Sequence, residues 1–199
     1  MGPDIESFNI VSIVDEYRQY WKPDNVRVIL LAESHAYTTE KEHHSALDTS
    51  KLGLPGYPDN FVRFVYCLGY GDNNLLTESI NNNPGSRTFW KIFYSTRNSV
   101  KTHDDFSPVM KTKSLDNTIP NRITLLREMK EAGIWLVDAS IIGINAEHRP
   151  PPVVYRELLL RCWDFYIEEL ISRTSPNVSS ITKTSPLFSP IPVHPQSAV

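Results

Sequence analysis

Val26-Arg27-Val28-Ile29-Leu30-Leu31-Ala32-Glu33-Ser34-His35-Ala36-Tyr37 runs from an apolar, β-branched segment straight into a short polar turn. Its first six residues, with one charge among them, suit a strand covered on both faces better than a surface helix. Open α/β folds place their chemistry just beyond the carboxyl ends of such strands. What arrives there is a carboxylate, a hydroxyl, an imidazole and a phenol ring, from Glu33, Ser34, His35 and Tyr37. The plain alternative is a strand-to-helix loop in which Ser34 serves as a cap.

Working outward, Ile10, Ile13, Val14, Tyr17 and Trp21 recur at three- and four-residue spacing, which predicts a helix over 6–21. Pro23-Asp24-Asn25 ends it before the strand. Residues 38–60 are charged and then rich in glycine and proline, and read as a shaped loop. The aromatic run at 61–68 opens a buried helix behind Asp59 or forms a strand; its period does not decide. A short helix is expected over 87–95, loop over 96–120, and a helix over 121–132 with Asn121 as cap and Gly133 as stop. Ile134-Trp135-Leu136-Val137-Asp138 is a second buried strand with a polar end, and helix followed by strand is half of a βαβ unit, which predicts a parallel sheet. The longest helix is expected over 153–172, entered through Pro150-Pro151-Pro152. Residues 173–199 are dominated by Ser, Thr and Pro and read as a flexible tail on a domain spanning 1–172.

The chain has 199 residues, enough for one sizeable core. Its 40% apolar and 22% charged composition is that of a soluble globular protein. A formal charge of -3 gives no general attraction for nucleic acid or acidic membrane, although a local positive groove is compatible with it. Two cysteines, Cys67 and Cys162, provide neither a disulfide framework nor a metal cluster, and read as buried thiols. Neither a secretion signal nor a membrane span is legible, so the expectation is an intracellular protein with no membrane partner.

Three segments carry a resemblance. Val28-Ile29-Leu30-Leu31 leads into Ala32-Glu33-Ser34-His35-Ala36-Tyr37; Phe89-Trp90-Lys91-Ile92-Phe93 follows; and Ala132-Gly133 leads into Ile134-Trp135-Leu136-Val137-Asp138. In this order they resemble the uracil-DNA glycosylase superfamily over roughly residues 10–165. The resemblance implies a three-layer α/β/α fold around a central, mostly parallel sheet. It also implies DNA as partner and hydrolysis of the N-glycosidic bond of a modified or mismatched base, with no cofactor and no metal. It would make Glu33 and Ser34 the water-activating loop, Phe89 the ring stacking on the base, and Asp138 the residue reading the base edge. Ala32, His35 and Asp138 stand where the family has glycine, proline and asparagine. His194-Pro195-Gln196 echoes the family's closing loop without a strand before it, which leaves open a truncated fold without catalysis that binds nucleic acid or a protein through an uncovered sheet edge.

The residues themselves fit this chemistry in part. Glycosidic cleavage needs a carboxylate to position water or steady positive charge on the sugar, and a donor near the departing base. Glu33 suits the first task and His35 the second. A flipped base needs a stacking ring, for which Tyr37, Tyr57, Phe61 and Phe89 are candidates, with core packing the alternative for each and the better fit for Phe61 and Phe89. Asp138 only accepts hydrogen bonds, so it favours an amino-bearing edge, adenine- or cytosine-like, over uracil. His43-His44 with Glu40 and Glu42, and His103-Asp104-Asp105, are polar clusters, but adjacent histidines diverge and a solvated loop explains the second. Arg97, Lys101, Lys111 and Lys113 make a modest basic region, and Arg149 is a further candidate for a phosphate. A serine hydrolase on Ser34 lacks the glycine-flanked elbow, and no glycine-rich phosphate loop supports a nucleotide-binding enzyme.

Overall fold

A computed structural model describes residues 5–110, 118–145, 147 and 150–174. The Ser/Thr/Pro-rich stretch from 175 onward with its His-Pro echo, Lys111 and Lys113, and His148 and Arg149 lie outside the described residues.

The fold is mixed α/β, with a small parallel sheet of two strands among the described residues and helices around it. Helix α1 (Phe8–Tyr20) starts at Ser7, whose hydroxyl accepts from the Ile10 amide, and buries Ile10, Val14, Tyr17 and Arg18. Strand β1 (Val28–Ala32) follows, and then the short helix α2 (Glu40–His43), closed by a reciprocal capping box between Thr39 and Glu42. Helix α3 (Arg87–Arg97) packs on α4 (Thr118–Glu131), which leads into strand β2 (Ile134–Asp138). Helix α4 begins before residue 121. Asn121 is inside it and donates its side-chain amide to the Pro108 carbonyl instead of capping. The closing helix is built from α5 (Pro152–Cys162), five residues of π geometry (Trp163–Ile167) and α6 (Glu168–Thr174). The wide turn sets Trp163, Ile167 and Ile171 together in the core.

The register of the sheet is set where β2 begins. Gly133 ends α4 at φ +77°, and its carbonyl accepts from the amides of both Arg27 and Val28. A side chain there would meet the Asn25 carbonyl at 2.5 Å, so glycine is required twice over. Val28 then pairs with Ile134 and Ala32 with Asp138, which brings the two polar strand ends side by side. Every residue of β2 is buried, whereas β1 is half-covered and Val28 is 47% exposed.

Residues 61–68 form neither the helix nor the strand anticipated for them. They are a series of buried turns. Side-chain hydroxyls take over the work of a backbone ladder here: the Leu136 amide of β2 donates to Tyr66 Oη at 2.9 Å, and the Leu68 amide donates to Tyr57 Oη at 2.9 Å. Asp59 is likewise no helix cap; its carbonyl accepts from the Leu47 amide. No described helix is long and apolar enough to cross a membrane.

Candidate functional site

The pairing of the strands continues one step past each end. The Ala139 amide donates to the Ala32 carbonyl at 2.7 Å, and the Ser140 amide to the Glu33 carbonyl at 2.9 Å. Beyond this point the two segments diverge and leave a cleft of about 760 Å³ at the carboxyl edge of the sheet. Glu33, Ser34, His35, Tyr37, Phe89 and Asp138 all line it. Glu33 is exposed at its lip, and Ser34, Tyr37 and Phe89 are half-buried. Tyr57 is elsewhere. Its ring lies in the core, edge-on to Tyr17 and Tyr20 with centroids 5.1 Å away in each case, and its hydroxyl donates to the Tyr66 carbonyl. Phe61 is also a core residue.

Under the cleft lies a chain of buried charges. The Glu6 carboxylate accepts from the Thr38 amide, from the Gly143 amide and from His35 Nε2, each at 2.7 Å. On the far side of the imidazole, Nδ1 lies 3.6 Å from Asp138 Oδ2, an ionic contact longer than a hydrogen bond. Asp138 in turn accepts from Arg18 Nη2 at 3.1 Å, and Arg18 Nη1 donates to Asp15 at 2.9 Å. Tyr166 closes the chain with a 2.6 Å bond to the same Asp15 oxygen. Burial opposes the charge on His35, but the flanking Asp138 and Glu6 carboxylates outweigh it and raise its pKa from 6.5 to about 9. Burial opposes the Arg18 charge too, and Asp138 more than restores it.

This arrangement defines what each group is free to do. The His35 side chain is fully buried with both ring nitrogens turned to carboxylates, so it braces the loop from below. Asp138 is 1% exposed, with its carboxylate turned toward Arg18 and His35. Glu33, Ser34, Tyr37 and Phe89 are the anticipated residues that combine a place in the cleft with solvent access. A second wall comes from Arg63, which forks onto Glu42 (2.6 and 3.1 Å) and also donates to the Asn82 carbonyl. Burial pushes Glu42 up, yet the bonds from Arg63 and Thr39 hold its pKa below the usual range.

No known protein family, curated protein or solved structure matches this chain. The geometry of the cleft therefore carries the functional argument.

Three residues of the site were not singled out by sequence. Arg18 continues the Ile10–Val14 stripe of α1, and a cation on an apolar stripe signals a buried partner. Arg63 carries the same signal inside an aromatic run. Glu6 has none, because its partners are 29, 32 and 137 positions away. The histidine clusters have ordinary structural work. His43 donates to the Phe61 carbonyl and His44 to Glu40, while Asp105 accepts from the amides of Lys101 and Thr102. Among the described residues, no group of three or more His, Cys, Asp or Glu is placed to hold a metal ion.

Proposed function

We propose that the cleft receives a nucleobase swung out of a DNA strand and that the protein is a glycosylase-type hydrolase of modified or mismatched bases. The observation that carries this reading is the joint presence of an exposed carboxylate, Glu33, and two half-buried rings, Tyr37 and Phe89, in one cleft at the ends of paired parallel strands. The rings offer a stacking surface that offsets the cost of extruding a base. Glu33 orients water toward the anomeric carbon and takes a proton as the C–O bond forms. The C–N bond breaks, and its electron pair leaves on the base, which is protonated from solvent. His35 and Asp138 hold the loop that carries Glu33; with its carboxylate facing Arg18 and His35, Asp138 acts as a brace and the base edge is met by exposed groups of the cleft. The finer fold reading, a three-layer α/β/α domain of the uracil-DNA glycosylase kind, belongs to this proposal and draws support from the order helix, strand, polar loop, helix, strand.

The test is incubation of the full chain with single- and double-stranded oligonucleotides carrying uracil, hypoxanthine, xanthine or mismatches, scored for abasic sites. Abasic product from at least one substrate is expected; none from any would reject the hydrolase. The half-covered β1, paired on one side only among the described residues, favours a second reading in that case: a domain without catalysis that binds through its sheet edge.

A further inference from the structure

A second recess lies beside the cleft and shares Ser86 with it. It has a volume of about 250 Å³ and is formed by the start of α3, the backbone around Gly71 and Gly85, and the side chains of Trp90 and Arg122. Gly71 and Gly85 touch backbone to backbone there. Both have positive φ, and a side chain on either would come within 2.8 Å of the other's Cα.

The recess is lined with hydrogen-bond donors. Helix α3 has eleven residues, and its N-cap, Ser86, makes no capping hydrogen bond. Among the described residues, the amides of Gly85, Ser86 and Arg87 find no acceptor. A helix start leaves such amides pointing outward at the positive end of the helix dipole. The independent observation is Arg122. It is 6% exposed, lies 4.6 Å over the Trp90 ring and donates Nε to the Val109 carbonyl. Among the described residues its guanidinium makes no other hydrogen bond and no ion pair, and it lines the recess. Burial lowers its pKa to about 10, with the buried Asp72 as the acid that opposes the shift, so it is charged at neutral pH. An acceptor entering the recess meets these N–H groups directly. Arg87 adds an exposed cation at the rim.

We propose that this recess is an oxyanion site that binds a phosphate group, supplied either by a phosphodiester of a nucleic-acid strand lying across the adjoining cleft or by free phosphate. Planar N–H forks and helix-start amides are the donors that phosphate oxygens pair with. The site stands whether or not Glu33 performs hydrolysis, since binding needs no reaction.

The test is an amide NMR titration of the labelled full chain with inorganic phosphate, with sodium chloride at matched ionic strength, and with an oligothymidylate lacking terminal phosphates. Saturable shifts at Gly85, Ser86 and Arg87 with a phosphate-bearing probe and none with chloride are expected. Arg122→Met should weaken binding about tenfold or more, and Arg87→Ala severalfold. A response at lower concentration to the oligonucleotide assigns the site to a strand, and a response to inorganic phosphate alone assigns it to the free ion. Absence of saturable shifts with both probes, or shifts unchanged in the substituted proteins, overturns the proposal. Should Arg122→Met not fold, the unaltered chain and Arg87→Ala decide.

Discussion

Glu6 Oε2 lies 2.7 Å from His35 Nε2, with both side chains fully removed from solvent. The pair joins the segment before α1 to the loop after β1, and the Gly143 amide brings in the loop after β2. The loops that follow the two strands are thus tied to one carboxylate.

Glu6→Ala should be among the more damaging single substitutions in the chain. It strands two buried amides and leaves His35 with one carboxylate partner. Loss of one member of a buried ion pair costs about 3–5 kcal/mol. Urea unfolding followed by circular dichroism measures it; a loss under ~1 kcal/mol would mean that the network relaxes freely.

Stability should depend on pH through His35. Its folded pKa, about 9, is above the ordinary 6.5, so its contribution is complete below pH 6.5 and fades as pH rises through 9. The unfolding free energy of the unaltered protein should fall across that window relative to His35→Gln. Parallel profiles for the two proteins would show that the imidazole is neutral in the fold.

Gly85→Ala should destabilise the protein by more than ~1 kcal/mol, because the new Cβ meets the Gly71 Cα at 2.8 Å at a residue with φ +66°. Gly53→Ala is the control. It also has positive φ but nothing within 4 Å of the added atom, so it should cost less in the same unfolding measurement.

Tyr57→Phe removes a hydroxyl that donates to Tyr66 and accepts from Leu68, at a cost of about 1–3 kcal/mol. It should leave ligand binding in the cleft unchanged, whereas Phe89→Ala should weaken it. Fluorescence titration with a single-stranded oligonucleotide separates the two; equal losses would place Tyr57 in function despite its distance from the cleft.

The sheet was the legible part of this fold. Val28 to Leu31 and Ile134 to Val137 are apolar runs that end on polar residues, and a parallel pair with Glu33 and Asp138 at neighbouring ends follows from that pattern. The turns at 61–68 were not legible, because their backbone is paired through tight local turns and through remote partners, Ser45 and the hydroxyls of Thr38 and Tyr57, that no periodicity encodes. The same limit hid the role of His35. A histidine in a strand-end loop reads as an exposed acid or donor until Glu6, which approaches from a remote segment, is seen to occupy it. Tyr57 and Phe61 show the converse, since an aromatic ring carries no sign of whether it faces a cleft or a core.

The role of Glu33 in hydrolysis is tested most directly by the single-turnover rate of abasic-site formation on the best substrate, for the unaltered chain and for Glu33→Gln with matched circular dichroism. A loss of about 100-fold or more in the substituted protein is predicted. Equal rates in the two proteins would contradict the assignment of Glu33, and no abasic product from the unaltered chain would contradict the hydrolase itself.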